Sequence, residues 1–297
     1  MAVVQGSLQY TGGDQVVTIG NFDGVHRGHR ALLAAARELA GPAGVCAYTF
    51  HPAPRDVLRP DNSILRVQRL EDRVRVLHEA GAEDVVVEPF DREFAGRSAE
   101  WFATEVLSKR LRARAVVVGW DFRFGRGRTG DAAGLRDVLD IPVHQVEAVQ
   151  FEGQTVSSSR IRALLGAGEV AAAARLLGRP HELVGEVVRG DARGRQLGFP
   201  TANIECETPL VPESGVYAAR LHTGELAVLN IGVRPTFGGG PSRIEVHILD
   251  YEGDLYGAQL RVLLIRRLRA ERSFSGREAL VAQISADIEA ARRVLAS

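Results

Sequence analysis

Apolar positions fall into two different rhythms along this chain. In the first half they gather in unbroken runs at residues 16–20, 45–50, 84–90 and 115–120. Runs that short and that rich in β-branched residues suit strands covered on both faces. Between them, residues 29–41, 69–81 and 98–111 carry apolar side chains at helical spacing, and the first two stretches end at Gly41 and Gly81, where a C-cap would stand. The order β-α-β-α-β-α-β predicts a parallel sheet with right-handed crossovers.

Residues 159–180 read as helix, broken at Gly166 and Gly168 and stopped by Pro180. Beyond that point the rhythm shortens. Segments 185–194, 216–222, 225–233, 243–250 and 258–268 are short strand-like stretches between Gly, Pro and Asp turns, the pattern of a small antiparallel barrel. The chain closes with a helix that aligns Leu280, Ile284, Ile288, Ala291 and Leu295 on one face. The expected fold is therefore α/β: a Rossmann-like parallel sheet, then a small antiparallel β-barrel with a terminal helix. A boundary near 180–184 gives domains of residues 1–182 and 183–297. At 297 residues, each can hold its own core.

Charge and cysteine content narrow the chemistry. The formal net charge is zero, which argues against a nucleic-acid partner, since that affinity rests on many cation–phosphate contacts. Lys109 is the only lysine, and no GK[ST] occurs, so a P-loop is excluded. Cys46 and Cys206 stand alone, against a cysteine zinc site or a disulfide framework. With no apolar leader and no run near the ~18 residues that span a bilayer, a soluble cytoplasmic protein without membrane contact is expected. No obligate protein partner is evident.

The stretch IGNFDGVHRGHR, residues 19–30, joins the first apolar run to the first helix. In an open α/β sheet, ligands sit at the carboxyl ends of the strands, and a helix N-terminus offers amides and a positive dipole end. His26 and His29 could donate to phosphate oxygens there, bind a metal, or simply turn the chain. The i, i+3 spacing, with Asp23 the only adjacent carboxylate, favours phosphate over metal. Gly20, Gly24 and Gly28 let the backbone approach a nucleotide, which makes Gly20, Asn21 and Phe22 candidate ATP contacts.

HxGH after the first strand resembles the signature of the nucleotidyltransferase α/β superfamily. The fuller GNFDGVHRGH, with TFHPAP (49–54), VGWDFRFGRGRTGD (118–131) and SSSRIRALLGAG (157–168), is similar to the FMN adenylyltransferase module of bacterial bifunctional FAD synthetases. That resemblance implies that Ser158, Ser159 and Arg162 hold the triphosphate. The family commonly reads SSTxIR, so Ser159 stands where a threonine is frequent, and the hydroxyl is kept. It implies flavin contacts at Asp121, Phe122 and Phe124. Gly125, Gly127 and Gly130 also spell GxGxxG, but four residues separate them from the fourth apolar run, which argues against a dinucleotide fingerprint and against an NAD(P)-dependent flavoprotein.

In the second half, GFPTAN (198–203) places Thr201 and Asn203 on one side of an extended segment. A hydroxyl and an amide carbonyl are hard oxygen ligands, suited to Mg²⁺ carrying ATP, and Gly190, Gly194 and Gly198 provide loops near the phosphates. GFPTAN, NIGVRPTFG (230–238), RIEVHILDYEGDLYG (243–257) and LRAERSF are similar to riboflavin kinases. That resemblance implies Glu245 as the base for the ribityl 5′-hydroxyl. His247 and Asp250 lack any nucleophile context for a triad. Together the motifs imply one chain that phosphorylates riboflavin to FMN and then adenylylates FMN to FAD, with ATP as co-substrate and small molecules as its partners. A kinase whose first half only binds or regulates is the main rival.

Overall fold

All four unbroken runs become neighbouring strands. The computed structural model describes residues 2–190, 194, 197–232 and 243–296, and the chain divides into two units, Met1–Ser157 and Ser158–Ser297. In the first, β1 (Ala2–Gln5), β2 (Val16–Ile19), β3 (Val45–His51), β4 (Asp84–Pro89), β5 (Ala115–Gly119) and β6 (Val143–Val146) form one parallel sheet in the order β1-β4-β3-β2-β5-β6. β1 and β6, at the two edges, fall outside the apolar runs that announce the others.

Helices α1 (Arg27–Ala40), α2 (Pro54–Leu58) and α3 (Leu70–Glu79) follow β2 and β3, and α4 (Arg92–Ala95) and α5 (Ala99–Trp101) follow β4. α1 and α3 cover one face of the sheet, where Val16, Val45, Val85 and Val117 pack with Leu33, Ala36, Val74 and Leu77. On the other face Val17, Cys46, Val86 and Val116 meet Leu107, Leu111 and Leu135. Burial on both faces is what the unbroken runs encode. The expected helix at 98–111 is present with a different winding: after α5, Phe102–Arg110 is a π-helix. Its wider turn still buries Phe102, Ala103, Val106 and Leu107. α6 (Ala132–Val138) is capped by Asp131, whose side chain accepts the Gly134 amide at 3.0 Å.

In the second unit the segment 159–180 is two helices, α7 (Ser158–Gly166) and α8 (Val170–Leu177), and α8 ends on Gly178 in the left-handed region at φ 76°. Strands β9 (His181–Val188), β10 (Ala202–Cys206), β11 (Gly215–Leu221), β12 (Leu226–Gly232), β13 (Arg243–Ile248) and β14 (Gln259–Arg269) close into a barrel in the order β10-β13-β12-β11-β14-β9. The β13 burial alternates strictly, with Ile244, Val246 and Ile248 buried and Arg243, Glu245 and His247 half-buried. Directly paired residues share a face. Register thus carries Ile204, Ile231 and Leu229 to the inner face with Ile244 and Val246.

The last helix, α9 (Arg277–Leu295), buries Ala291 and packs Ile288, Val294 and Leu295 against Val216, Ala218, Val228 and Leu249 on the outside of the barrel. The strand expected over 185–194 stops at Val188. Its last residues, much of NIGVRPTFG and the start of the stretch 243–250 border or enter the positions outside the described residues, 191–193, 195–196 and 233–242.

Candidate active sites

In a sheet ordered β3-β2-β5 the chain leaves β2 toward one side while β5 lies on the other. The crevice at such a switch point is where ligands settle. Two loops open there, one from β2 to α1 and one after β5.

The first loop is held in an unusual backbone. Phe22 and Val25, both wholly buried, have φ of 49° and 41°, and Gly24 has φ 86°. Such angles cost a side-chain-bearing residue about 1–3 kcal/mol and persist only where packing fixes them. Here Asn21 O accepts Arg73 NH1 at 2.9 Å, and Asp23 Oδ1 accepts the Val67 amide at 2.8 Å. Arg73 also donates to Phe50 O at 3.0 Å, and its burial pulls its guanidinium down to about 10. Asp23 is buried and turned to the backbone of Val67. Among the described residues no group of three His, Cys, Asp or Glu could hold a metal ion.

His26 is the N-cap of α1 and His29 its third residue, and they form a reciprocal capping box. Nδ1 of His26 accepts the His29 amide and Nδ1 of His29 accepts the His26 amide, both at 3.3 Å. The rings stack with centroids 3.6 Å apart and 14° between planes, and Phe22 meets His29 edge-on at 5.2 Å. Because each Nδ1 is an acceptor, the neutral rings carry their protons on Nε2. Two N–H donors are thus fixed side by side at a helix N-terminus. With its ring wholly buried, Phe22 can meet a nucleotide only through its backbone. A Cβ on Gly20 would lie 3.2 Å from that ring, and one on Gly28 3.1 Å from the His26 ring.

In the second loop, Asp121 is exposed, and the half-buried Phe122 and Phe124 stack at 5.3 Å with 17° between planes. They continue an aromatic series through Phe102, Phe94, Phe50 and Phe90. The GxGxxG stretch is part of this loop. Phe124 and Gly130 bridge to each other, Arg123 pairs with Asp131, and a Cβ on Gly125 would sit 2.6 Å from the Ala99 amide nitrogen. The glycines close a loop against α5; they do not turn a strand into a helix around a pyrophosphate. A cavity of about 370 Å³ beside them is lined by Leu58, Arg92, Ala95, Gly96, Arg126 and Gly127.

Ser158, Ser159 and Arg162 lie in the first two turns of α7, within the second unit, and Arg162 NH2 donates to Ser159 Oγ at 3.1 Å. One helix face thus groups hydroxyls with a guanidinium, the fork that grips phosphate oxygens.

On the barrel, strand register assembles a row. Asn203 of β10 pairs with Glu245 of β13, and Glu245 pairs with Asn230 of β12. Asn230 in turn pairs with Val216 of β11, and Val216 with Arg269 of β14. The carboxylate is 25% exposed and takes an ion pair from Arg243 at 2.9 Å. Next to it, His247 Nδ1 lies 2.7 Å from Pro200 O, anchoring the GFPTAN turn. Thr201 and Asn203 are half-buried. The glycines at 190 and 194 make their room: a Cβ at Gly190 would fall 2.1 Å from Asn203 Nδ2, and one at Gly194 3.0 Å from Thr201 Oγ1. Gly198 turns the chain at φ 87°.

Comparison with known proteins decides what these sites belong to. The family model for FAD synthetase matches residues 9–160 and the one for riboflavin kinase matches residues 177–295. The bifunctional riboflavin kinase/FMN adenylyltransferase of Escherichia coli (strain K12) is 41% identical over 93% of this chain and 91% of its own length. This chain belongs to that family. It carries both family activities, riboflavin kinase and FMN adenylyltransferase, with riboflavin, FMN, FAD and ATP as substrates and products. The Bacillus subtilis (strain 168) enzyme of the same name is 36% identical over 94% of the chain and 92% of its own length. A crystal structure described as a macrolide-efflux protein from Streptococcus pneumoniae superposes with a TM-score of 0.91 at 32% identity, covering 98% of each chain. Among the described residues of this riboflavin kinase/FMN adenylyltransferase family member, no helix is long and apolar enough to cross a membrane.

Two features of the family member escape sequence reasoning. The HxxH capping box departs from the usual Ser/Thr and Glu pair, so the pattern gives no cap signal. Arg269 joins the Glu245 row only through register across four strands, although LRAERSF itself is a visible motif.

Proposed function

We propose that the family's two reactions run on separate residue sets, with residues 1–182 as the adenylyltransferase module and 183–297 as the kinase module. The kinase assignment is carried above all by the direct pairing of Asn203 with Glu245. An alcohol is a weak nucleophile and needs a positioned proton acceptor. Glu245 takes the proton of the ribityl 5′-hydroxyl as that oxygen attacks the γ-phosphate of ATP, and ADP leaves with the broken P–O bond. Arg243 orients the carboxylate through their ion pair. Asn230, on the opposite flank, faces the same substrate, and the Ala270–Phe274 segment after Arg269 frames the flavin end of the row.

Thr201 and Asn203 suit Mg²⁺ by donor chemistry: two uncharged hard oxygens in a cradle that a Cβ at Gly190 or Gly194 would fill. The ion, bound there with the nucleotide, supplies charge neutralisation for the phosphates. Thr201 and Asn203 hold it, and the Gly190, Gly194 and Gly198 backbone leaves space for the phosphate chain.

In the adenylyltransferase module, an FMN phosphate oxygen attacks the α-phosphate of ATP and pyrophosphate departs. His26 and His29 act as Nε2–H donors to the phosphate oxygens, where charge rises in the transition state, and neither becomes covalently modified. The backbone of Gly20 to Phe22 lines the approach of the nucleotide. Ser158, Ser159 and Arg162 grip the triphosphate. Phe122 and Phe124, with Asp121 at their edge, receive the flavin of FMN, and the cavity by Leu58 and Arg126 extends that surface. Dependence on ATP supports a cytoplasmic enzyme.

A crossed pair of substitutions tests the division. His29→Ala abolishes FAD formation and spares FMN formation, whereas Glu245→Ala abolishes FMN formation and still converts added FMN to FAD. Equal loss of both activities in either variant refutes the two-site assignment.

A further inference from the structure

The apolar stripe of α9 contains a carboxylate. Asp287 sits three residues after Ile284 and four before Ala291, on the face that packs on the barrel, and it is 5% exposed. A buried charge there is costly unless paired and fully hydrogen-bonded.

Asp287 is paired, and its partner is the last member of the Glu245 row. Arg269 Nε donates to Asp287 Oδ1 at 3.0 Å and to Oδ2 at 3.1 Å, and NH2 donates to Oδ2 at 2.8 Å. This fork fixes the guanidinium plane. A second branch leaves the same carboxylate: Gln283 Nε2 donates to Oδ1 at 2.6 Å, and Gln283 Oε1 accepts from Arg272. Both guanidiniums lie over the Phe274 ring, at 5.8 Å for Arg269 and 5.0 Å for Arg272. Between them in sequence, Glu271 puts Oε1 2.9 Å from where a Gly232 Cβ would stand, two residues along β12 from Asn230. One buried carboxylate therefore sets the placement of Arg269, Arg272 and Phe274, at the end of the row that starts at Asn203.

We propose that Asp287 is a positioning residue for riboflavin in the kinase reaction: through Arg269 directly and Arg272 by way of Gln283, it fixes the flavin-facing end of the Glu245 row. The inference rests on the kinase reading of that row. Three inter-strand steps separate Glu245 from Arg269, about 14 Å along the barrel surface. The proton acceptor and the clamped segment therefore address different parts of one extended substrate. Asp287 touches neither substrate and acts through the two arginines.

The test uses the full chain with Asp287→Asn, which keeps the shape and removes the charge. FMN formation is measured against riboflavin and against ATP, near-ultraviolet circular dichroism and thermal unfolding report whether the barrel is folded, and conversion of added FMN to FAD is followed in the same sample. The riboflavin KM is expected to rise about tenfold, with the ATP KM and the FAD-forming rate unchanged. Gln283→Ala, which cuts only the Arg272 branch on a partly exposed side chain, is expected to raise the riboflavin KM by a smaller factor than Asp287→Asn does. A folded Asp287→Asn protein with the wild-type riboflavin KM, or one that loses kcat alone, overturns the proposal. Should Asp287→Asn fail to fold, an unchanged riboflavin KM in Gln283→Ala overturns it instead. Wild-type protein that makes no FMN from riboflavin would defeat the kinase reading itself, a separate result.

Discussion

His26 does two jobs, and substitution can separate them. As N-cap it accepts the His29 amide at 3.3 Å, a long hydrogen bond. Losing a cap costs about 0.5–2 kcal/mol, and a bond of this length belongs near the lower end, about 1 kcal/mol. As a catalytic donor its Nε2–H is expected to be worth about 10²–10³ in rate, the scale of one oxyanion donor. His26→Ala removes both. His26→Asn restores a good N-cap, since asparagine ranks among the best caps, but leaves no donor where Nε2 stood. Two assays on each variant divide the contributions: thermal unfolding, and pyrophosphate release with FMN and ATP. Ala should lower the unfolding midpoint by about 2–4 °C, and Asn should recover most of that. Both should lose adenylyl transfer to the same extent, with riboflavin phosphorylation intact. If Asn restores the rate along with the midpoint, His26 is a cap and no more.

Gly190→Ala should push Asn203 out of the row, because the added Cβ would lie 2.1 Å from Nδ2 and 2.5 Å from Cγ. The expected outcome is a kinase that needs far more Mg²⁺ for half-maximal rate beside a normal FAD-forming activity; an unchanged Mg²⁺ titration contradicts it. Arg162→Ala should weaken ATP use in FAD formation alone, read as a raised ATP KM with FMN saturating, and an equal rise in the kinase reaction would count against the assignment. His181, wholly buried with Nε2 3.0 Å from Leu210 O, is pulled by burial from 6.5 down to about 4. The unfolded chain binds a proton that the native one refuses between those values. Stability should therefore hold above pH 6.5 and fall by about 3 kcal/mol as pH drops to 4. Denaturant midpoints of wild type and His181→Gln across that range should diverge in slope, and parallel curves would refute the assignment.

The sheet was legible because unbroken β-branched runs have few other uses in a soluble domain, and the barrel because its turns are marked by Gly, Pro and Asp. Edge strands β1 and β6 were not, since a strand buried on one side carries a weaker apolar signal; β6 reads Val, His, Gln, Val. The Phe102–Arg110 stretch announced a helix but not its π winding, because burying the same four side chains leaves the apolar spacing close to α. At the sites, residue types and motifs pointed to the histidines, to Thr201 and Asn203, and to Glu245. What no local pattern could supply was adjacency. The Asn203–Glu245–Asn230 row depends on register between strands about 15 to 40 residues apart in sequence. Asp287 is the clearest case: in sequence it interrupts an apolar face, and only its fork to Arg269 explains it.

The most direct test of two catalytic sites in one chain is a time course with riboflavin, ATP and Mg²⁺, separating riboflavin, FMN and FAD and following pyrophosphate. FMN should appear first and FAD after it, with pyrophosphate released in step with FAD. FMN that accumulates without FAD, even when FMN and ATP are supplied directly, would contradict the account, leaving the histidine box a binding element or a cap.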